Sequence, residues 1–151
     1  MTDDTNMTHG PNGLERLRAL MVNLGHSGTM LRTLNMSLVS AEADHVVFRG
    51  APTAEHMNPF GSVHGGWAST ILDSALGCAT QIALAPGEVF TTLELKVNLI
   101  RALQPDGPPL TATGRLINRG RRTAITEATL TDDTGKVYAH GVSTCMIMQD
   151  A

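Results

Sequence analysis

Apolar positions recur along this chain with two different periods, and the changes of period divide it into elements. In "GLERLRALMVNLG", Leu14, Leu17, Leu20, Met21 and Leu24 fall three or four apart and Gly25 follows. That spacing predicts an amphipathic helix closed by glycine. "TLNMSLVSAEA" and "DHVVFRGAP" are β-like runs on either side of a polar turn at Ala43 and Asp44, and they predict a hairpin. From Val63 to Leu84 the spacing is helical again, and "APGE" ends the segment. The period then becomes two. Leu93, Leu95, Val97 and Leu99 alternate with Thr92, Glu94, Lys96 and Asn98, as in a long strand with one apolar face. After the loop "QPDGPP", "LTATGRLIN" and "RTAITEATLTD" flank a turn at Gly120. "DDTGK" makes another turn, and "VYAHGVSTCMIM" is the last strand. One long helix followed by antiparallel strands predicts a two-layer α+β domain, with the sheet wrapped around the helix. Residues 1–12 read as a flexible N-terminus and residues 13–151 as a single domain without internal repeats.

The long helix is unusual on its polar side. Around a wheel of residues 67–83, one half holds Trp67, Ala68, Ile71, Leu72, Ala75, Leu76, Cys78, Ala79, Ile82 and Ala83, the side expected to pack on the sheet. The other half holds Ser69, Thr70, Asp73, Ser74, Gly77, Thr80 and Gln81. No Lys, Arg or Glu lies between Glu55 and Glu88, so Asp73 is an isolated charge on a face of small residues. Small residues allow another backbone to come close, and the simplest cover for such a face is the same helix of a second copy.

Composition narrows the classes. The chain has 151 residues, 42% hydrophobic and 17% charged, as expected of a folded protein with one core. The net charge of −3 disfavours nucleic-acid binding, which needs a basic surface. There is no apolar run long enough for a membrane span. The polar, acidic "MTDDTNMTHGPNG" lacks the basic and apolar regions of a signal peptide, which points to the cytoplasm. Cys78 and Cys145 form no framework and read as reduced. The six histidines show no close pair at metal-ligand spacing, and no metal is expected.

Chemistry concentrates at the start of the long helix. A helix N-terminus offers free N–H groups and a partial positive charge, and glycine lets a ligand approach that backbone. The sequence "VHGG" therefore suits an oxyanion or a polarised carbonyl at Gly65 and Gly66. In "NPFG", a turn sequence, Asn58 can fold back and offer an amide as second donor. Asp73 is eight residues beyond Gly65, roughly 12 Å along a helix. A catalytic carboxylate must come within about 3 Å of its target or of a bridging water. Gly65 and Asp73 of one chain therefore cannot serve one carbonyl, whereas an antiparallel pair of helices would bring Asp73 of one chain to Gly65 of the other.

Asn58, His64-Gly65-Gly66 and Asp73 at this spacing resemble the hotdog-fold acyl-CoA thioesterases of the phenylacetic-acid-degradation (PaaI-like) family. The resemblance runs from about Thr33 to Met148. It implies a hotdog fold and hydrolysis of an aromatic or medium-chain acyl-CoA at a homodimer interface, the dimers assembling into a homotetramer. It requires no cofactor, coenzyme A being part of the substrate. By the same resemblance, Gly65 and Asn58 hold the thioester oxygen, and Asp73 of the partner subunit acts as nucleophile or general base. A Thr at the start of the following strand joins the site, Thr92 in preference to Thr91. His64 braces the loop and, with Gly66, contacts substrate. Arg119, Arg121 and Arg122 around the hairpin turn are candidates for the CoA phosphates, because arginine pairs well with phosphate. A hotdog acyl-thioester hydratase or dehydratase, and an acyl-CoA binder without chemistry, are the alternatives.

Overall fold

The computed structural model describes residues 10–23 and 29–151. Gly25, the expected stop of the first helix, and most of the expected flexible N-terminus lie outside these residues. Helix α1 spans Gly13–Asn23. Residue 12 departs from the expectation of a free terminus, because it begins this helix. The Asn12 side chain accepts from the Glu15 N–H at 2.9 Å, and the Glu15 carboxylate accepts from the Asn12 N–H at 2.8 Å. This reciprocal pairing satisfies donors that a helix start leaves orphaned. Gly13 seats the helix against the end of the long helix: its N–H donates to Leu84 O at 2.9 Å, and a Cβ there would lie 1.8 Å from Gln81 O.

A short helix α2 (Met30–Thr33) leads into β1 (Met36–Ala41) and β2 (Val46–Gly50), the expected hairpin. Helix α3, Gly65–Gln81, follows, then β3 (Glu88–Leu99), β4 (Leu110–Arg119), β5 (Thr123–Thr131) and β6 (Val137–Gln149). The six strands form one antiparallel sheet in the order β1-β2-β4-β5-β6-β3. The sheet curls around α3, which packs against β2, β3, β4, β5 and β6. This is the α+β hotdog architecture that the sequence implied. Close approach is possible where small residues of the two surfaces meet between the larger core side chains. Ala68, Ala75 and Ala79 of α3 are buried, as are Ala112, Ala128 and Ala139 of the sheet. A Cβ on Gly114 of β4 would lie 2.3 Å from the Ala75 carbonyl oxygen.

Two details differ from the expected pattern. The buried arc of α3 is wider than half a turn. Thr80 and Gly77, placed by the wheel on the polar side, are buried, Thr80 with its hydroxyl donating to Leu76 O at 3.4 Å. The curl of the sheet causes this, since Phe90 of β3 reaches over Gly77. In β3 the period of two breaks at Leu93. Thr92 pairs with Cys145 and Glu94 with Thr144, so Leu93 is a bulge residue without a partner. The helix-facing set is therefore Phe90, Thr92, Leu95, Val97 and Leu99, on the side of the buried Ser143 and Cys145 of β6. β3 is an edge strand, and Leu95 and Leu99 of that set are 37% and 57% exposed, so its apolar side is only partly covered by its own chain.

Candidate active site

The loop before α3 turns Asn58 back toward the helix start. Asn58 Oδ1 accepts from the N–H groups of Phe60 at 2.9 Å and Ser62 at 3.2 Å, and Asn58 N–H donates to Ser62 O at 2.8 Å. These bonds fix the orientation of the amide. Its Nδ2 donates to Ser62 Oγ at 3.0 Å, which leaves one N–H for a ligand. His64 caps the helix: its Nδ1 accepts from the Gly66 N–H at 2.8 Å. In the neutral ring the hydrogen then sits on Nε2. The Trp67 N–H is bonded to His64 O at 2.9 Å, and the Gly65 N–H has no acceptor among the described residues. The first turn of α3 thus uses two donors internally and presents that of Gly65.

Asn58, His64 and Gly65 line one cleft of about 260 Å³ with Leu99, Arg101 and Tyr138. The structure brings these three sequence candidates together. Arg101 was not legible as a site residue, because nothing in the pattern after the long strand marks it. Its Nε donates to Val137 O at 3.1 Å, which anchors the guanidinium and leaves its other N–H groups available.

Asp73 lies elsewhere on the same chain. Gly65, Ser69, Asp73 and Gly77 form one row at four-residue spacing along α3. The row faces β3, as the contacts at its ends show: Gly65 meets Leu99, and a Cβ on Gly77 would lie 3.4 Å from the Phe90 ring. Helix and strand therefore run in opposite directions, and Asp73 stands opposite the middle of β3. Its Oδ1 is buried with no hydrogen-bond partner, and burial pushes its carboxyl above the ordinary aspartate range. Cys78 sits nearby; burial, with a smaller contribution from the Asp73 charge, pushes its thiol up to about 12, so it is no nucleophile at neutral pH. Ser69, Thr70 and Ser74 turn their hydroxyls back onto the carbonyls of Gly65, Gly66 and Thr70 at 2.8–2.9 Å. The small-residue face is consequently less polar than its composition implies.

Thr92 lies on the helix-facing side of β3, its Oγ1 3.9 Å from Cys145 Sγ. Thr91 pairs with Met146 on the opposite side. The arginines separate. Arg119 binds the Glu88 carboxylate and the Gly120 carbonyl, and it reaches Ala83 O at 3.5 Å. It straps the β4–β5 turn to the chain just beyond α3, and its hydrogen bond holds the Glu88 carboxyl below the ordinary range. Arg121 and Arg122 are exposed and line, with Glu88, an open cleft of about 430 Å³ at that end of the molecule. All three are remote from Gly65 of their own chain, because α3, 17 residues long, separates the two ends.

The chain as a whole is similar to known proteins. The profile of the thioesterase superfamily matches residues 60–139. Over 115 residues the chain is 29% identical to the 1,4-dihydroxy-2-naphthoyl-CoA hydrolase of Listeria monocytogenes serotype 1/2a (strain 10403S), covering 76% of this chain and 90% of that protein. It is 29% identical over 107 residues to acyl-coenzyme A thioesterase 13 of Homo sapiens, 70% of this chain and 75% of that one. Among solved structures, a phenylacetic acid degradation-related protein of Ralstonia eutropha JMP134 superposes with a TM-score of 0.75 at 26% identity, covering 89% of this chain and 99% of that one. With its profile spanning more than half of the sequence and its curled sheet around α3, this chain belongs to the thioesterase superfamily and is a hotdog-fold thioester hydrolase.

Proposed function

We propose that this enzyme hydrolyses an acyl-CoA to the free acid and coenzyme A, at two sites shared by the subunits of a homodimer. The observation that carries this reading is the placement of Gly65 and Asp73 on one row of α3, eight residues and roughly 12 Å apart. One carbonyl cannot meet both from one chain, and two-fold pairing of antiparallel helices supplies the missing half to each site. The same pairing carries Arg121 and Arg122 toward the other chain's Gly65, where, with Arg101, they offer cations for the CoA phosphates. The edge position of β3 and its exposed leucines suit the same interface. The names of the relatives, a naphthoyl-CoA hydrolase and an acyl-CoA thioesterase, support the substrate class.

In this mechanism the thioester oxygen sits against the Gly65 N–H and the free N–H of Asn58. Negative charge that develops there on attack is stabilised by both donors and by the positive end of the α3 dipole. Asp73 of the partner subunit either attacks the carbonyl or takes a proton from the attacking water, and Thr92, on the helix-facing side of β3, is the hydroxyl assigned to assist it. Where Asp73 takes the proton from water, the hydroxide adds to the carbonyl, the C–S bond breaks and that proton passes to the departing sulfur. Where Asp73 attacks, the C–S bond breaks to give a mixed anhydride and CoA thiolate, and water then cleaves the anhydride to the free acid and the restored carboxylate, its proton neutralising the thiolate.

The test has two parts. A panel of acyl-CoA esters with thiol detection establishes the activity. Co-expression of an Asp73→Asn chain with an Asn58→Asp chain then tests the shared site. Each homodimer is expected to be nearly inactive. The mixed dimer has one site with both lesions and one intact site, so activity returns to at most about half of wild type. Folded mixed dimers without recovered activity would refute the shared site.

A further inference from the structure

Beside the Asn58–Gly65 cleft, and separated from it by His64, lies a second cleft of about 350 Å³. Its walls are Met30, Leu34, Met57 and Trp67, with Thr70 beneath and Glu55 and His56 at its side. Its size falls at the lower end of the roughly 300–1,000 Å³ usual for small-molecule sites.

Its polar atoms are almost all occupied from within. Trp67 Nε1 donates to Leu34 O at 2.8 Å. His56 Nδ1 accepts from the Thr53 N–H at 2.9 Å, and its Nε2 donates to Thr33 O at 3.0 Å. The Thr70 hydroxyl donates to Gly66 O at 2.8 Å, and the Gly66 N–H is taken by His64 Nδ1. What remains for a ligand is apolar surface, the acceptor side of the Thr70 hydroxyl, His64, which lines both clefts, and the exposed Glu55 carboxylate. Two methionines make such a surface adaptable to flexible chains.

We propose that this second cleft receives the acyl group, and that the substrates it favours are acyl-CoA esters with a plain hydrocarbon acyl chain of medium length. The assignment rests on the thioesterase reading above, which puts the thioester at Gly65. A carbonyl held there has the Arg101 cleft on one side for the pantetheine arm and the methionine-lined cleft on the other for the acyl chain. A hydroxylated aromatic acyl group would set its hydroxyls against the apolar walls, where the Thr70 hydroxyl oxygen, His64 Nε2 and Glu55 are the polar partners left. An acyl group ending in a carboxylate would meet the Glu55 charge. A hydrocarbon pocket rejects an added hydroxyl by roughly 10².

The experiment measures kcat/KM for acetyl-, hexanoyl-, octanoyl- and decanoyl-CoA and for 1,4-dihydroxy-2-naphthoyl-CoA, with wild type, Met57→Trp and Met57→Ala. Wild type is expected to prefer octanoyl- or decanoyl-CoA over the dihydroxynaphthoyl ester by at least tenfold. Met57→Trp narrows the cleft, and the octanoyl-to-acetyl ratio of kcat/KM is expected to fall at least tenfold. Met57→Ala widens it and moves the preferred chain length upward, which keeps the proposal testable if the tryptophan variant does not fold. If the variants hydrolyse acyl-CoA with an unchanged chain-length profile, or wild type prefers the dihydroxynaphthoyl ester, the cleft assignment is overturned while the thioesterase reading stands. If wild type releases thiol from none of these esters, the acyl-CoA reading itself falls.

Discussion

The Leu99 side chain lies where Gly65 has none: a Cβ on Gly65 would be 2.6 Å from Leu99 Cδ1. The end of β3 thus closes directly over the first residue of α3, and only a glycine leaves Leu99 in place beside the free N–H. The clashing atom is the tip of a flexible side chain, not backbone, so a Gly65→Ala chain can fold by turning Leu99 aside. Leu99 also lines the Asn58–Gly65 cleft, and turning it disturbs that cleft. The backbone N–H survives the substitution, so the loss comes from displacing the substrate beside it. The expected result is a small change in melting temperature with kcat/KM lowered by up to roughly 10²-fold, the scale of an ångström's misplacement. Circular dichroism with steady-state kinetics checks it. A properly folded variant with wild-type kinetics would show that the close approach of Leu99 to Gly65 does not shape the site.

Gly114 makes the contrasting case. There the added Cβ would meet the Ala75 carbonyl, oxygen at 2.3 Å and carbon at 2.7 Å, and helix backbone cannot rotate away. Gly114→Ala is expected to push α3 off β4 and to cost about 1–3 kcal/mol, a fall of about 2–12 °C in melting temperature. Thermal unfolding followed by calorimetry measures this. An unchanged melting temperature would mean that the helix–sheet spacing is slack.

Much of this fold was legible because it depends on local periods and turns. The helical spacing from Trp67 to Leu76, the turns at Gly120 and Gly135 and the Asn-Pro-Phe-Gly loop each follow from a few adjacent residues. What was not legible depends on partners distant in sequence. The bulge at Leu93 is set by pairing with β6, not by β3 itself. Thr80 is buried because of how far the sheet curls, which no helix wheel contains. Arg101 reaches the Gly65 cleft only because β3 runs back along α3, and Arg119 is engaged by Glu88, 31 residues away. Asn12 is the opposite kind of miss. The Asn-x-x-Glu pattern of a capped helix start was present in the sequence, and the polar run preceding it hid the signal.

Asn58 separates turn formation from donation. Its Oδ1 holds Phe60 and Ser62, while its amide supplies the free N–H. Asn58→Asp keeps an oxygen for the turn, deletes the donor and places a negative charge where an oxyanion is to form. The expected effect is a fall in kcat of roughly 10²–10³ with a smaller change in KM, because the donor acts on charge present only in the transition state. Asn58→Ala loses both roles and is expected to be less stable as well. A change confined to KM in the aspartate variant would make Asn58 a binding residue only.

Asp73 joins activity to stability with opposite signs. Removal of a positioned base or nucleophile typically costs a factor of about 10²–10⁴ in rate, and Asp73→Asn is expected to fall in that range. Stability should move the other way. The folded-state pKa of Asp73 is raised by burial, and its Oδ1 has no partner, so the native state disfavours the ionised form relative to the unfolded chain. A carboxyl shifted upward contributes most favourably below its unfolded pKa, and that contribution is lost as pH rises through the folded value. Above the ordinary aspartate range the unfolded chain favours the charged form that burial disfavours in the folded enzyme, a cost that the asparagine variant does not carry. The variant is expected to melt higher than wild type at pH 7. The difference should shrink toward zero as pH falls below the ordinary aspartate range, where both side chains are neutral. Melting temperatures of the two proteins across that range decide the matter. A difference that stays constant with pH would mean that the Asp73 carboxylate is no more disfavoured in the folded enzyme than in the unfolded chain.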